Sequence, residues 1–159
     1  MPQAGLHLLR EVTTPLDRHW TLAVDASLVA AIAVDVGLSV GAFVTPATWF
    51  RVLHGSLAPD ALHVTFLQRC GAQWLAFALL QVATLAAWRR SPRWLAVVAG
   101  ARLSDLFTDL TYLSVAPDLV PGAAAMLVPP CGLNLGMALI LLLAHARIGL
   151  PPPATLEAA

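Results

Sequence analysis

The chain has 159 residues, 58% hydrophobic and 11% charged, with nine arginines, no lysine, nine acidic residues and a formal net charge of zero. Soluble domains carry about 25% charged residues and about 45–50% apolar ones, so this composition excludes an ordinary soluble domain. Arginines that are dispersed and balanced by acids also exclude the basic footprint of a nucleic-acid-binding protein.

Residues 1–19 form an N-terminal segment in which Leu6, Leu9 and Val12 are spaced for the apolar face of a short surface helix, with a frayed terminus as the alternative. Four stretches then reach the roughly 20 apolar residues that a helix needs to cross a bilayer: 20–44, 66–88, 94–115 and 122–146. The first is too long, and its Asp25 and Asp35 too polar, for a cleaved signal peptide, so it is expected to be retained. A loop of about 20 residues follows Pro46, in which Trp49, Phe50, Val52 and Leu53 are expected to lie on the membrane surface. The cluster Arg89-Arg90-Ser91-Pro92-Arg93 and the segment Pro117-Asp118-Leu119-Val120-Pro121 make the other connections. The tail 149–159, with three consecutive prolines, is expected to be disordered.

These elements specify an all-α fold, an integral membrane antiparallel four-helix bundle over residues 20–148. Arg10, Arg18, Arg89, Arg90, Arg93 and Arg147 flank one side of the spans, and only Arg51 and Arg69 accompany the other two loops. The positive-inside bias therefore places both termini in the cytoplasm of a multi-pass cell-membrane protein. Trp20, Trp49, Trp88 and Trp94 fall at span ends, where interfacial aromatic anchors are expected.

Five ionisable residues lie inside the spans: Asp25 and Asp35 in the first, and Arg102, Asp105 and Asp109 in the third. Each costs about 2.5–3.5 kcal/mol near the bilayer centre if it faces lipid, so they are expected to face protein or water. At about 100° per residue, Arg102, Asp105, Asp109 and Tyr112 share an arc of roughly 80°. Counting about 1.5 Å per residue from the flanking arginines puts Asp25, Arg102 and Gln81 in an inner layer. The same count puts Asp35, Asp109 and Gln73 in an outer layer below Arg69, with Asp105 and Asn134 between.

If Asp25 pairs with Arg102, and Arg69 with Asp35 or Asp109, two carboxylates are left without a basic partner. At least one of Asp35, Asp105 and Asp109 is then expected to hold a proton near neutral pH, or to bind a cation or an amine. The ligand-binding candidates are Asp25, Asp35, Arg69, Gln73, Gln81, Arg102, Asp105, Asp109, Tyr112 and Asn134. The bland alternative is that Arg102 and Asp105, at i and i+3, neutralise each other and the remaining acids are structural.

Gly37 with Gly41, and Gly132 with Gly136, form two G-x-x-x-G faces suited to close helix contact, within the bundle or with a membrane-protein partner or second copy. Pro129-Pro130 is expected to break or kink the fourth stretch near the outer carboxylates, or to mark an interfacial turn before it. Cys70 and Cys131 are at similar depths, where a disulfide is conceivable and packing as free thiols is favoured. The spacing of His54, Asp60 and His63 matches no metal motif, lone His145 is weak grounds for a haem, and no motif names a cofactor. Phosphate-binding glycine loops, H-E-x-x-H and a serine nucleophile elbow are absent from the sequence, which disfavours soluble-enzyme catalysis.

The run Phe66-Leu67-Gln68-Arg69-Cys70-Gly71, followed by an apolar helix, an arginine-rich turn and a helix with Arg102 and Asp105, resembles the small four-span bacterial membrane proteins grouped as DoxX-like. Some members of that group are associated with respiratory or thiol-oxidation complexes, so the resemblance implies an accessory membrane role. Three functional expectations follow. The polar interior binds a proton, cation or small amphipathic ligand, for transport or sensing. Alternatively the chain is a non-catalytic subunit of a larger membrane complex, or a membrane enzyme acting on a lipid, quinone or isoprenoid.

Overall fold

A computed structural model describes residues 16–116 and 119–148, and over these the chain is all-α. The N-terminal surface helix and the C-terminal tail expected from the sequence lie outside the described residues. Asp17 opens α1 (Arg18–Val44) by accepting a hydrogen bond from the Trp20 amide at 2.9 Å, a standard N-cap. Pro46, whose missing N–H is harmless in a first turn, starts α2 (Pro46–His54). Gly55, at φ 65°, ends it. Asp60 caps α3 (Ala61–Ala87) through the His63 amide at 2.8 Å, and the arginine-rich turn leads into α4 (Arg93–Val115). The last helix is α5 (Ala123–Ile148).

Helices α1, α3 and α5 are long and apolar enough to cross a membrane. At 23 residues α4 is long enough for a span, but Arg93, Arg102, Asp105 and Asp109 make it less apolar. Among the described residues α1 packs on α3, α3 on α4, α4 on α5 and α5 on α1, while α1 and α4 do not touch through their backbones, nor do α3 and α5. The long helices therefore form a ring with two diagonals. Helices α1 and α3 run antiparallel, as shown by the successive contacts of Asp25 with Arg89, Asp35 with Gln81 and Ala42 with Gly71.

The surface and the interior are reversed relative to a water-soluble bundle. Leu22, Val29, Val40, Leu79, Phe107 and Leu139 are exposed, whereas Asp35, Gln81, Thr84, Arg102, Asp105 and Asn134 are buried. In water such a surface would be a severe aggregation hazard, and in lipid it is the favourable arrangement. The large buried apolar side chains, among them Val24, Leu28, Leu95, Val98 and Leu141, gather in the half of the ring nearest Arg18, Arg93 and Arg147. In the half nearest α2, the buried positions are small: Ser39, Ala42, Gly71, Ala123 and Cys131.

Several expectations are corrected. The segment after Pro46 is not all loop, because nine residues of it form α2. The α3 helix starts five residues before the expected span, since Asp60 caps it. No break occurs at Pro129-Pro130. Both prolines lie in the second turn of α5, so the carbonyls they leave without an amide are those of Ala125 and Met126, exposed residues of the first turn. Trp88 is not a lipid-facing anchor: it is 3% exposed and its indole nitrogen donates to Asp25.

The glycine faces are also corrected as packing surfaces of the ring. A Cβ at Gly37, Gly41, Gly132 or Gly136 would meet nothing within 4 Å. The close helix approach is at Gly71 instead, where a Cβ would lie 2.9 Å from the Ala42 Cβ.

Candidate functional site

Each long helix sends one polar side chain to the centre of the ring. Arg102 of α4 crosses the diagonal to Asp35 of α1, donating from Nη1 to Oδ1 at 3.0 Å and from Nη2 to Oδ2 at 2.7 Å. Two parallel bonds of this kind are the strongest geometry open to an arginine and a carboxylate. Gln81 of α3 donates from Nε2 to Asp35 Oδ2 at 2.8 Å. Asn134 of α5 accepts from Arg102 Nη1 at 3.3 Å. Phe77 lies beneath the guanidinium, 5.2 Å from its ring centre, and adds a cation–π contact.

The two further carboxylates on α4 lie on the α2 side of this cluster and are less well partnered. Asn134 Nδ2 approaches Asp105 Oδ2 at 3.2 Å and Asp109 Oδ2 at 3.5 Å, so a single amide spans both. Arg102 Nη1 stands 3.8 Å from Asp105, beyond hydrogen-bonding distance, because its protons are directed at Asp35 and Asn134. Asp105 is buried and Asp109 half-buried. Within the same cluster Arg102 Nε and Gln81 Oε1 are buried and have no hydrogen-bond partner.

The ion pairs formed are not those expected from the sequence. Asp25 does not meet Arg102; it accepts from Trp88 Nε1 at 3.0 Å and pairs with Arg89. Arg69 and Gln73 are exposed and take no part in the cluster, and Arg69 forms no ion pair among the described residues. The expected layers are reassorted: Asp35 sits with Arg102 and Gln81, Asp25 lies nearer the arginine-rich end with Trp88 and Arg89, and Asp109 lies nearer α2. The cause is an axial offset. Asp25 is level with Arg89, so α1 extends about seven residues, roughly 10 Å, further towards the arginine-rich end than counting from Arg18 implied.

Tyr112 stands apart from the central cluster. Its hydroxyl lies 2.6 Å from His54 Nε2, and the His54 ring stacks on Phe50 at 4.3 Å between centroids. Phe50 in turn contacts His63 at 4.9 Å. Sequence reasoning missed His54, Trp88 and Arg89 as partners. A half-buried tyrosine hydroxyl requires a partner, which was the available signal for His54. An indole N–H at a helix end was the corresponding signal for Trp88.

Among the described residues no group of three or more histidine, cysteine, aspartate or glutamate side chains could hold a metal ion. No Cα of α3 approaches within 8 Å of one in α5, so Cys70 and Cys131 are beyond the 4.4–6.8 Å that a disulfide spans, and both are free. Comparison with protein-family models, curated proteins and solved structures found no match.

Proposed function

We propose that the chain is a multi-pass membrane protein in which α1, α3, α4 and α5 cross the bilayer as an antiparallel four-helix bundle, with both termini cytoplasmic, and that Asp105 and Asp109 bind a proton or a small cation. The case for α4 as a fourth span is that Arg102 and Asp105 are buried and Asp109 half-buried, with exposed Arg93 at the helix end, while Trp94, Val97, Phe107, Leu110 and Val115 face outward. A charged helix can lie in lipid when its ionisable groups face protein.

The observation that carries the reading is the imbalance of charge. Asp35, Asp105 and Asp109 share one hydrogen-bonded cluster with a single guanidinium, and Asp35 takes two of its bonds. Two neighbouring carboxylates with one amide between them are stabilised by a shared proton or a bound cation, because like charges in a low-dielectric site repel strongly. Infrared difference spectroscopy of the purified chain in nanodiscs tests this directly. A protonated-carboxyl band that titrates, or that sodium or potassium removes, and that is lost in Asp109→Asn supports the reading. Carboxylates that are all ionised at every pH, with no cation bound, would exclude it.

A second reading, as a subunit of a larger membrane complex, is favoured by the outward faces of Gly37 with Gly41 and Gly132 with Gly136, which the ring itself leaves open. Such faces accept a closely packed partner helix or a second copy, in keeping with the DoxX-like resemblance. Crosslinking through these faces in membranes tests it.

A further inference from the structure

We infer that the Asp105–Asp109 site is reached from the α2 end alone, so that it senses the compartment on that side rather than passing an ion across, and that α2 is the lid over its access. This rests on the proton- or cation-binding reading and adds a direction to it.

The two ends of the ring are filled differently. Between the carboxylates and the arginine-rich end, Val24, Leu28, Leu95, Val98, Ala138 and Leu141 close the axis, each at most 1% exposed. The polar side chains buried in that half are Ser27 and Thr84, and Thr84 is bonded to its own helix at the Leu80 carbonyl, so an ion there would forfeit most of its solvation. Below it, Asp25 is already held by Trp88 and Arg89.

Towards α2 the interior changes character. The buried residues are small, Asp109 is half-buried, and Tyr112 follows Asp109 by one helical turn on the same face. Buried atoms without a hydrogen-bond partner are Arg102 Nε and Gln81 Oε1 in the cluster and His54 Nδ1 in α2; among the described residues His145 Nδ1 is the one such atom towards the arginine-rich end.

The lid is fastened at two points. The His54–Tyr112 hydrogen bond ties the end of α2 to α4, and the Val120 amide donates to the Leu53 carbonyl at 3.0 Å, tying it to the segment before α5. Helix α2 also packs against α1, α3 and α5, so it lies across the end of the ring. The groups around the site are Arg102 and Tyr112 on α4, Asp35 on α1, and Asn134 with the buried Cys131 on α5; Cys70 on α3 is exposed, and His54 of α2 meets Tyr112.

The test uses the full chain in sealed, internally buffered vesicles, with orientation read from protease protection of a terminal tag. The carboxyl band is followed after a pH step, or a sodium or potassium step, in the external medium. With the α2 end outward the band responds promptly; with the arginine-rich end outward it responds only as fast as the imposed gradient decays. Tyr112→Phe and His54→Ala both unfasten the His54–Tyr112 tie, and each speeds the response from the α2 side several-fold. Equal responses from both faces overturn the inference and leave the binding reading standing, as do unchanged rates in both variants. A band absent in vesicles and nanodiscs alike overturns both.

Discussion

Arg102 and Asp35 are joined by two hydrogen bonds across a diagonal of the ring, linking two helices whose backbones do not touch. The pair therefore acts as a strut through the interior, with Gln81 and Asn134 steadying it from the other diagonal. A buried ion pair is not itself a large source of stability, because desolvation offsets much of its attraction. Breaking it is another matter.

Arg102→Leu leaves Asp35, Asp105 and Asp109 with no base in the cluster. The expected loss is about 3–5 kcal/mol, the usual cost of stranding one partner of a buried pair. The double variant Asp35→Asn/Arg102→Gln removes both charges and keeps hydrogen-bonding groups, and it recovers most of that loss. Reversible unfolding in mixed micelles measures both. A single variant as stable as the parent would show that the strut carries no stability.

At Gly71 the prediction concerns the α1–α3 contact. A methyl group there would sit 2.9 Å from the Ala42 Cβ and 3.2 Å from the Phe43 ring, and backbone must move to admit it. Gly71→Ala should cost about 1–3 kcal/mol in the same unfolding measurement, as overpacking does. Gly37→Ala and Gly136→Ala have open space and should leave unfolding unchanged or slightly improved, since alanine favours helix over glycine. Loss of copurifying partners on replacing Gly37 or Gly136 by leucine, without loss of stability, separates docking faces from packing faces.

The main outline of the fold was legible because lipid imposes it: helices of about 20 residues with apolar surfaces and inward charges are the permitted solution. Arg102, Asp105 and Asp109 were placed on one face by helical spacing alone. Helix α2 was not legible because nine residues between two spans yield too short a periodic pattern, and its start at Pro46 and stop at Gly55 also read as loop punctuation. The pairings of Asp25 and Asp35 failed for one shared reason. Flanking arginines mark where a helix leaves lipid only to within the length of its ends, and an offset of about two turns exchanges one acid for another. Glycine spacing likewise identifies a face suited to close approach, but not which neighbour uses it.

Asp60 gives a pH-dependent prediction outside the spans. The backbone hydrogen bond from His63 holds its carboxyl below the usual aspartate range. Because the folded value is depressed, the stabilisation is present above the unfolded value and is lost as pH falls through the folded one. The first turn of α3 should therefore fray on acidification, and Asp60→Ala should show that fraying already at neutral pH. Amide hydrogen exchange at His63 and Val64 reports it. Equal protection in parent and variant at neutral pH would show that the cap is not needed.

The cysteines supply a prediction that bears on redox roles. Cys70 and Cys131 are on α3 and α5, the pair of helices spanning the second diagonal, and no Cα atoms of those helices come within 8 Å. A disulfide joins Cα atoms no more than about 6.8 Å apart, so its formation would require the helices to move towards each other through the polar centre. Mild oxidation of the purified chain should therefore leave both thiols titratable, with the same mobility in reducing and non-reducing gels. Rapid formation of an intramolecular bridge in the native bundle would mean that α3 and α5 exchange neighbours, and would reopen a thiol-oxidation role.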